Sequence, residues 1–141
     1  MDESEVEQFL GRGGTGVISF AAAADEPPYS LPVSYGFNRE EQHFHFRLAV
    51  GPSSQKGAFV DRPMSFITYR ETDDGWQSVN ATGTLSDITD LPDRSPPVQD
   101  LWRVSIPFVD IFPDTPENVS FRRFVMDPDQ ISGRKQVTEE E

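Results

Sequence analysis

The chain has no cysteine. That excludes disulfide frameworks, thiolate metal sites and cysteine nucleophiles. Lysine is nearly absent: ten of the 12 basic residues are arginine, and Lys56 and Lys135 are the two lysines. Against them stand 24 acidic residues, for a net charge of −12 at pH 7. Small domains usually carry a net charge of magnitude about 2–8. A surface this negative repels polyphosphate and releases few counterions, which argues against a nucleic-acid partner. The same repulsion argues against an anionic membrane surface. An acidic, lysine-poor surface suits concentrated salt, where the screening length falls to ~3 Å and self-repulsion costs little. No apolar run approaches the ~20 residues of a membrane span. The opening MDESEVEQFL is too acidic and polar for a signal peptide. The expectation is an acidic, halophilic, cytoplasmic protein with no membrane and no nucleic-acid partner. The sequons at Asn80 and Asn118 are then read as chance.

What is present is 141 residues, enough for one domain with a real core. Residues 1–135 read as a single domain and 136–141 as an acidic disordered tail. Asp2 to Leu10 reads as a short helix with a Ser4/Glu7 capping box and an apolar face of Val6, Phe9 and Leu10. The following GRGGTG lacks the Lys-Ser/Thr ending of a phosphate loop and follows no strand, so it reads as a flexible turn into a strand. Strands are expected at Val17–Ala24, Tyr29–Phe37, Gln42–Val50, Met64–Arg70, Trp76–Ile88 and Val119–Met126. Short helices are expected at Gln55–Val60 and from Ser95-Pro96-Pro97 onward. Asp127–Lys135 is read as winding down without structure. Six strands joined by short turns imply a mainly β fold, a small closed or nearly closed antiparallel barrel with short flanking helices.

Several residues ask for more than folding. On YSLPVSYGF, Tyr29, Leu31, Val33, Tyr35 and Phe37 face one way, and Ser30, Pro32, Ser34 and Gly36 the other. Pro32 has no N–H for a ladder, so this strand has either an edge or a ligand beside it. The next strand puts His43, His45 and Arg47 on one face. That face reads as a solvated polar surface; as a metal site the two histidines lack a third ligand at a recognisable spacing. Lys56 falls in the first turn of a short expected helix, where a cation opposes the helix dipole. An anion held by backbone N–H groups, Ser53 or Ser54, Lys56 and Arg47 resolves that conflict; a solvated lysine is the plain alternative. Trp76 and Ser78 share a strand face with Asn80, Thr82 and Thr84, either a hairpin's wet face or a flank for a polar ring.

Taken together, TGVISFA, YSLPVSYGF, FHFRLAVGPSSQK and WQSVNATGTL resemble, in order and spacing, the pyridoxamine 5′-phosphate oxidase-like family of FMN-binding split barrels, in particular its small nitroimidazole-resistance-type members. The resemblance spans roughly Phe9 to Ile88, with an echo in ISGRK. It implies a six-stranded antiparallel split β-barrel working as a homodimer, with FMN at the subunit interface. It implies a flavin ring against Pro32, Val33 and Ser34, a phosphate at Arg47 and Lys56, and further contacts from Trp76, Ser78 and Val79. Arg47 stands where the nitroimidazole-type members often have a histidine, which favours anchoring over chemistry there. The implied function is flavin-dependent oxidoreduction on an unnamed substrate. The alternatives are a non-catalytic flavin-binding or redox-sensing protein, and a split barrel holding another flat anionic ligand; a deazaflavin or haem also suits the scaffold. No catalytic side chain is assigned, and His43 and His45 are the nearest proton carriers.

Overall fold

The computed structural model describes residues 1–11, 13–22, 24–50, 62–88 and 120–137, and for residues 49, 50, 120 and 121 the backbone alone. One helix, α1 (Glu3–Leu10), precedes eight strands: β1 (Gly14–Phe20), β2 (Tyr29–Asn38), β3 (His43–Val50), β4 (Met64–Thr72), β5 (Gly75–Gly83), β6 (Ser86–Asp87), β7 (Ser120–Met126) and β8 (Gln130–Lys135). All pairings are antiparallel, in the order β6-β7-β3-β2-β1-β4-β5-β8. The expected helices at Gln55–Val60 and after Ser95 lie outside the described residues.

The connections show that this sheet curls. β5 lies next to one end of the order and β6 at the other, yet Thr84 and Leu85 alone join them. Three Cα steps from Gly83 to Ser86 span at most about 11 Å. The two ends of the sheet must therefore approach each other, as in a half-closed, split barrel. The inner face is aromatic. Tyr35, Phe44, Phe46 and Phe66 are fully buried, with Tyr35 and Phe46 edge-on to Phe66 at 5.1 and 4.9 Å between ring centroids. Strict alternation in β2–β4 supplies these rings to one side. The helix α1 adds Val6, Phe9 and Leu10, each worth at most about 1.5–3 kcal/mol in burial.

Several expectations are corrected. Among the described residues the sheet has eight strands rather than the six expected. Trp76–Ile88 is not one strand: it breaks at Gly83, where a Cβ would meet the Met126 side chain at 3.0 Å, and resumes as β6 against β7. There Asp87 accepts hydrogen bonds from Arg122 Nε and Nη2, both at 2.7 Å. Asp127–Lys135 does not wind down, because Gln130–Lys135 pairs along the whole outer edge of β5. The ladder continues one residue further, with the Gln136 N–H donating to the Trp76 carbonyl at 2.7 Å. The capping box uses Asp2 and Glu5, not Ser4 and Glu7: Asp2 accepts from the Glu5 N–H at 2.8 Å. Asp caps as well as Ser, and the shift leaves Glu7 to accept from Gln42 Nε2 at 2.8 Å.

GRGGTG does turn into a strand, which starts at Gly14 rather than Val17. Gly13 has φ +66°, but Gly14 and Gly16 already belong to β1. At Gly16 a Cβ would lie 2.5 Å from both the Ile67 carbonyl oxygen and the Phe66 ring. The glycine is there for the close approach of β1 and β4. The first strand accordingly ends at Phe20 rather than Ala24. Among the described residues, no helix is long and apolar enough to cross a membrane.

Candidate functional site

The outer face of the sheet carries the candidate residues. On β2, Val33, Tyr35 and Phe37 point into the core, so Pro32, Ser34 and Gly36 point out. Registers carry this face across the sheet: Val17 lies opposite Pro32, Thr15 opposite Ser34, Ser34 opposite Arg47, and Gly36 opposite His45. On the far side, β5 sets Trp76 opposite Glu71 and Ser78 opposite Tyr69. Pro32, Ser34, Arg47, Trp76 and Ser78 therefore share one face although they come from three strands.

Pro32 is tolerated for a reason the registers show. β2 is an inner strand, but its ladder with β3 runs only from Ser34 to Asn38. Pro32 lies beyond that ladder and is itself exposed. The strand thus has a local edge within the sheet, where a residue without an N–H loses nothing. Burial changes at the same point: Val33 to Asn38 are all buried, and Tyr29, Ser30 and Pro32 are exposed.

Beside Pro32 the outer face forms a hollow of about 530 Å³. Thr15, Gly16, Val17, Pro32, Val33, Ile67, Tyr69, Arg70, Glu71 and Trp76 line it. This lies within the range of small-ligand sites, about 300–1,000 Å³. Its wall is unusually apolar for an outer surface: Ile67 is 42%, Trp76 48% and Tyr69 66% exposed, and the Tyr69 and Trp76 rings lie 6.1 Å apart. Arg70 closes one end. Its guanidinium sits 3.9 Å from the centre of the Phe9 ring and donates to the Phe9 carbonyl at 2.8 Å, satisfying the last turn of α1.

The structure thus brings Pro32, Val33 and Trp76 to one hollow; Ser34 lies opposite Thr15 of its wall, and Arg47 lies one strand further, opposite Ser34. Ser78 faces outward beside Tyr69. The Val79 side chain points into the core and is fully buried, so it reaches no ligand on this face. Val33 is likewise a core side chain and offers the hollow its backbone. Lys56 lies outside the described residues. The histidine face is not simply solvated: His45 is fully buried, while His43 is half-buried with Nε2 3.9 Å from the Asp127 carboxylate. Lys135 is engaged elsewhere, donating to the Glu5 carboxylate at 2.9 Å. That hydrogen bond holds the Glu5 carboxyl below, and the Lys135 ammonium above, their ordinary pKa values. Sequence reasoning missed Val17, Ile67 and Tyr69. The alternation of MSFITYRET carried the signal, since Met64, Phe66 and Thr68 inside force Ile67 and Tyr69 out.

A phenol lies on the core side of β2. Tyr35 is fully buried and its hydroxyl makes no hydrogen bond. Burial pushes its pKa above the ordinary phenol value, offset in part by the Arg70 charge and the Thr68 hydroxyl. Thr68 spends its own proton on the Thr15 carbonyl at 2.8 Å.

Residues 2–135 match the family described as Pyridoxamine 5′-phosphate oxidase. Among curated proteins none matches the chain. Solved structures share the fold. The FAD-binding protein from Mycobacterium smegmatis is 15% identical, with a TM-score of 0.69 over 97% of this chain and 98% of its own. A FAD-binding protein from Mesorhizobium loti is 17% identical, with a TM-score of 0.59 over 94% and 92%. The FAD and heme binding protein from Mycobacterium smegmatis is 13% identical, with a TM-score of 0.56 over 95% of this chain and 71% of its own.

Proposed function

Since the chain belongs to the pyridoxamine 5′-phosphate oxidase family, we propose that it binds a flavin, FMN, on the outer face of β2 and β3 and works as a flavin-dependent oxidoreductase. The observation that carries this reading is the cross-strand row of Ser34 and Arg47 on the same face as Pro32 and the apolar hollow it lines. The donor set fits the group. A flat, mostly apolar ring needs a surface with few protruding side chains; Pro32, Thr15, Gly16 and Val17 give one. Trp76 and Tyr69 supply aromatic edges. A phosphate monoester needs cationic donors, and the guanidinium of Arg47 is half-buried, where charge-assisted hydrogen bonds are strong. Lys56 follows on the same chain segment and completes the phosphate site in this reading.

When bound, the flavin supplies the hydride or electron transfer. The chain's own residues bind and orient it: Arg47 fixes the phosphate end, Pro32 and Val33 fix the plane, and Trp76 bounds the open side. His43 is half-buried, with Nε2 3.9 Å from the Asp127 carboxylate, and is the imidazole nearest this face for carrying a proton. The exposed apolar wall of Ile67, Tyr69 and Trp76 supports the homodimer, in which a second copy of the chain covers the open side.

The names of the similar structures favour a second reading, in which the flavin is FAD. The visible spectrum of the purified protein tests both. Flavin absorbance bands support the proposal, and mass spectrometry of the released cofactor separates FMN from FAD. A colourless protein that takes up neither overturns it. Anaerobic mixing with NADH or NADPH bleaches the flavin of a competent reductase and leaves that of a mere carrier unchanged. Within the phosphate site, Lys56→Glu weakens FMN binding far more than Lys135→Glu, whose ammonium is already held by Glu5.

A further inference from the structure

The consecutive arginines of β7 part company. Arg122 faces the inner side, opposite Leu48, and is bonded twice to Asp87 at 2.7 Å. Arg123 faces the outer side, where it is exposed and lies directly opposite Arg47. Arg47 in turn lies directly opposite Ser34. One straight cross-strand row therefore reads Ser34, Arg47, Arg123, on the face that carries the hollow.

Directly opposed residues on antiparallel strands have Cα atoms about 4.5–5.5 Å apart, so two guanidiniums set there on one face are within reach of a single dianion. A phosphate monoester carries about −1.5 to −2 charges at neutral pH, which two arginines match. Planar guanidiniums also meet phosphate oxygens two at a time, which lysine does not do.

We propose that Arg123 is a further phosphate-binding residue, gripping the flavin phosphate together with Arg47. This inference rests on the flavin reading above and assigns to its anionic end a residue from β7. Arg123 is a binding residue with no part in proton or electron transfer.

The test is titration of wild type, Arg123→Gln and Arg123→Lys with FMN and with riboflavin, which has the same ring and no phosphate. The expected result is a tenfold or greater rise in the FMN Kd for Arg123→Gln, an intermediate rise for Arg123→Lys, and an unchanged riboflavin Kd in both. Unchanged FMN affinity in Arg123→Gln overturns the inference while leaving the flavin reading intact. Equal losses for FMN and riboflavin overturn it too, since the residue then acts on the fold and not on the phosphate. Wild-type protein that takes neither compound overturns the flavin reading itself and the inference with it.

Discussion

Alanine at Gly16 pushes β1 and β4 apart. The added methyl would lie 2.5 Å from the Ile67 carbonyl oxygen, 0.9 Å short of an ordinary 3.4 Å contact, and 2.5 Å from the Phe66 ring. Neither obstacle gives way easily. The carbonyl is main chain at the β1–β4 seam, where Val17 is registered against Ile67. The ring is fully buried and wedged against Tyr35, Phe44 and Phe46 at 4.9–5.5 Å. Overpacking of this kind costs about 1–3 kcal/mol, and with backbone on one side the upper part of that range applies. The lower unfolded-state entropy of alanine returns about 0.4–1 kcal/mol. The net loss is about 2 kcal/mol, or roughly 8 °C in Tm for a domain of this size. Gly14→Ala is the matched control. It lies two residues earlier on the same strand face, where the new methyl meets the Tyr35 ring at 3.3 Å, a few tenths of an ångström tight. Its expected cost is below ~1 kcal/mol. Urea unfolding of the three proteins, with Cm compared at constant m, reads the difference. If Gly16→Ala stays within about 0.5 kcal/mol of wild type, the close-approach account of this glycine is wrong.

Tyr35→Phe removes a buried hydroxyl that makes no hydrogen bond, so at pH 7 it is neutral or stabilising by up to about 1 kcal/mol. Its folded pKa is raised, so wild-type stability falls as pH rises above the ordinary phenol value; the variant lacks that part of the alkaline loss, which urea titrations at pH 8 and pH 11 measure. Arg70→Met keeps the stem but loses the bond to the Phe9 carbonyl and the charge over the Phe9 ring, at a cost of about 1–2 kcal/mol. Hydrogen exchange then accelerates in α1 before it does in β1–β4. If the exposed wall is the face of the proposed homodimer, the double variant Tyr69→Ser, Trp76→Ser keeps the monomer fold, because both rings are half exposed, and weakens self-association at least tenfold in sedimentation equilibrium; unchanged association refutes that face.

Much of the fold was legible because alternation is a strong signal. The alternation in Tyr29–Phe37 declared an inner face, and its Val33, Tyr35 and Phe37 lie in the core, while Tyr29 at the open end is exposed. The break at Gly83 was not legible. Nothing local in TGTLSD marks a crossing from β5 to the far end of the sheet; the glycine there sits against Met126, more than forty residues away. The β8 strand was hidden for a similar reason. QISGRK is short and polar because it is an edge strand with one partner, and its Gly133 answers to the packing of Val6 and Met1. At the site, Pro32 announced a missing ladder bond, and the structure supplies the local edge. The resemblance named Val79 without its facing; the alternation of β5 turns that side chain into the core. Arg123 escaped notice because its meaning comes from the register of β3 with β7, two strands far apart in the chain.

The central claim is that a flavin lies on the outer face with its phosphate at Arg47. Its most direct measurement is the FMN dissociation constant of Arg47→Gln beside that of Lys135→Gln. Loss of a charge-assisted hydrogen bond costs about 1.5–3 kcal/mol, which is roughly 10- to 100-fold in Kd. The account predicts that rise for Arg47→Gln and a wild-type value for Lys135→Gln. Equal affinities in the two variants contradict it.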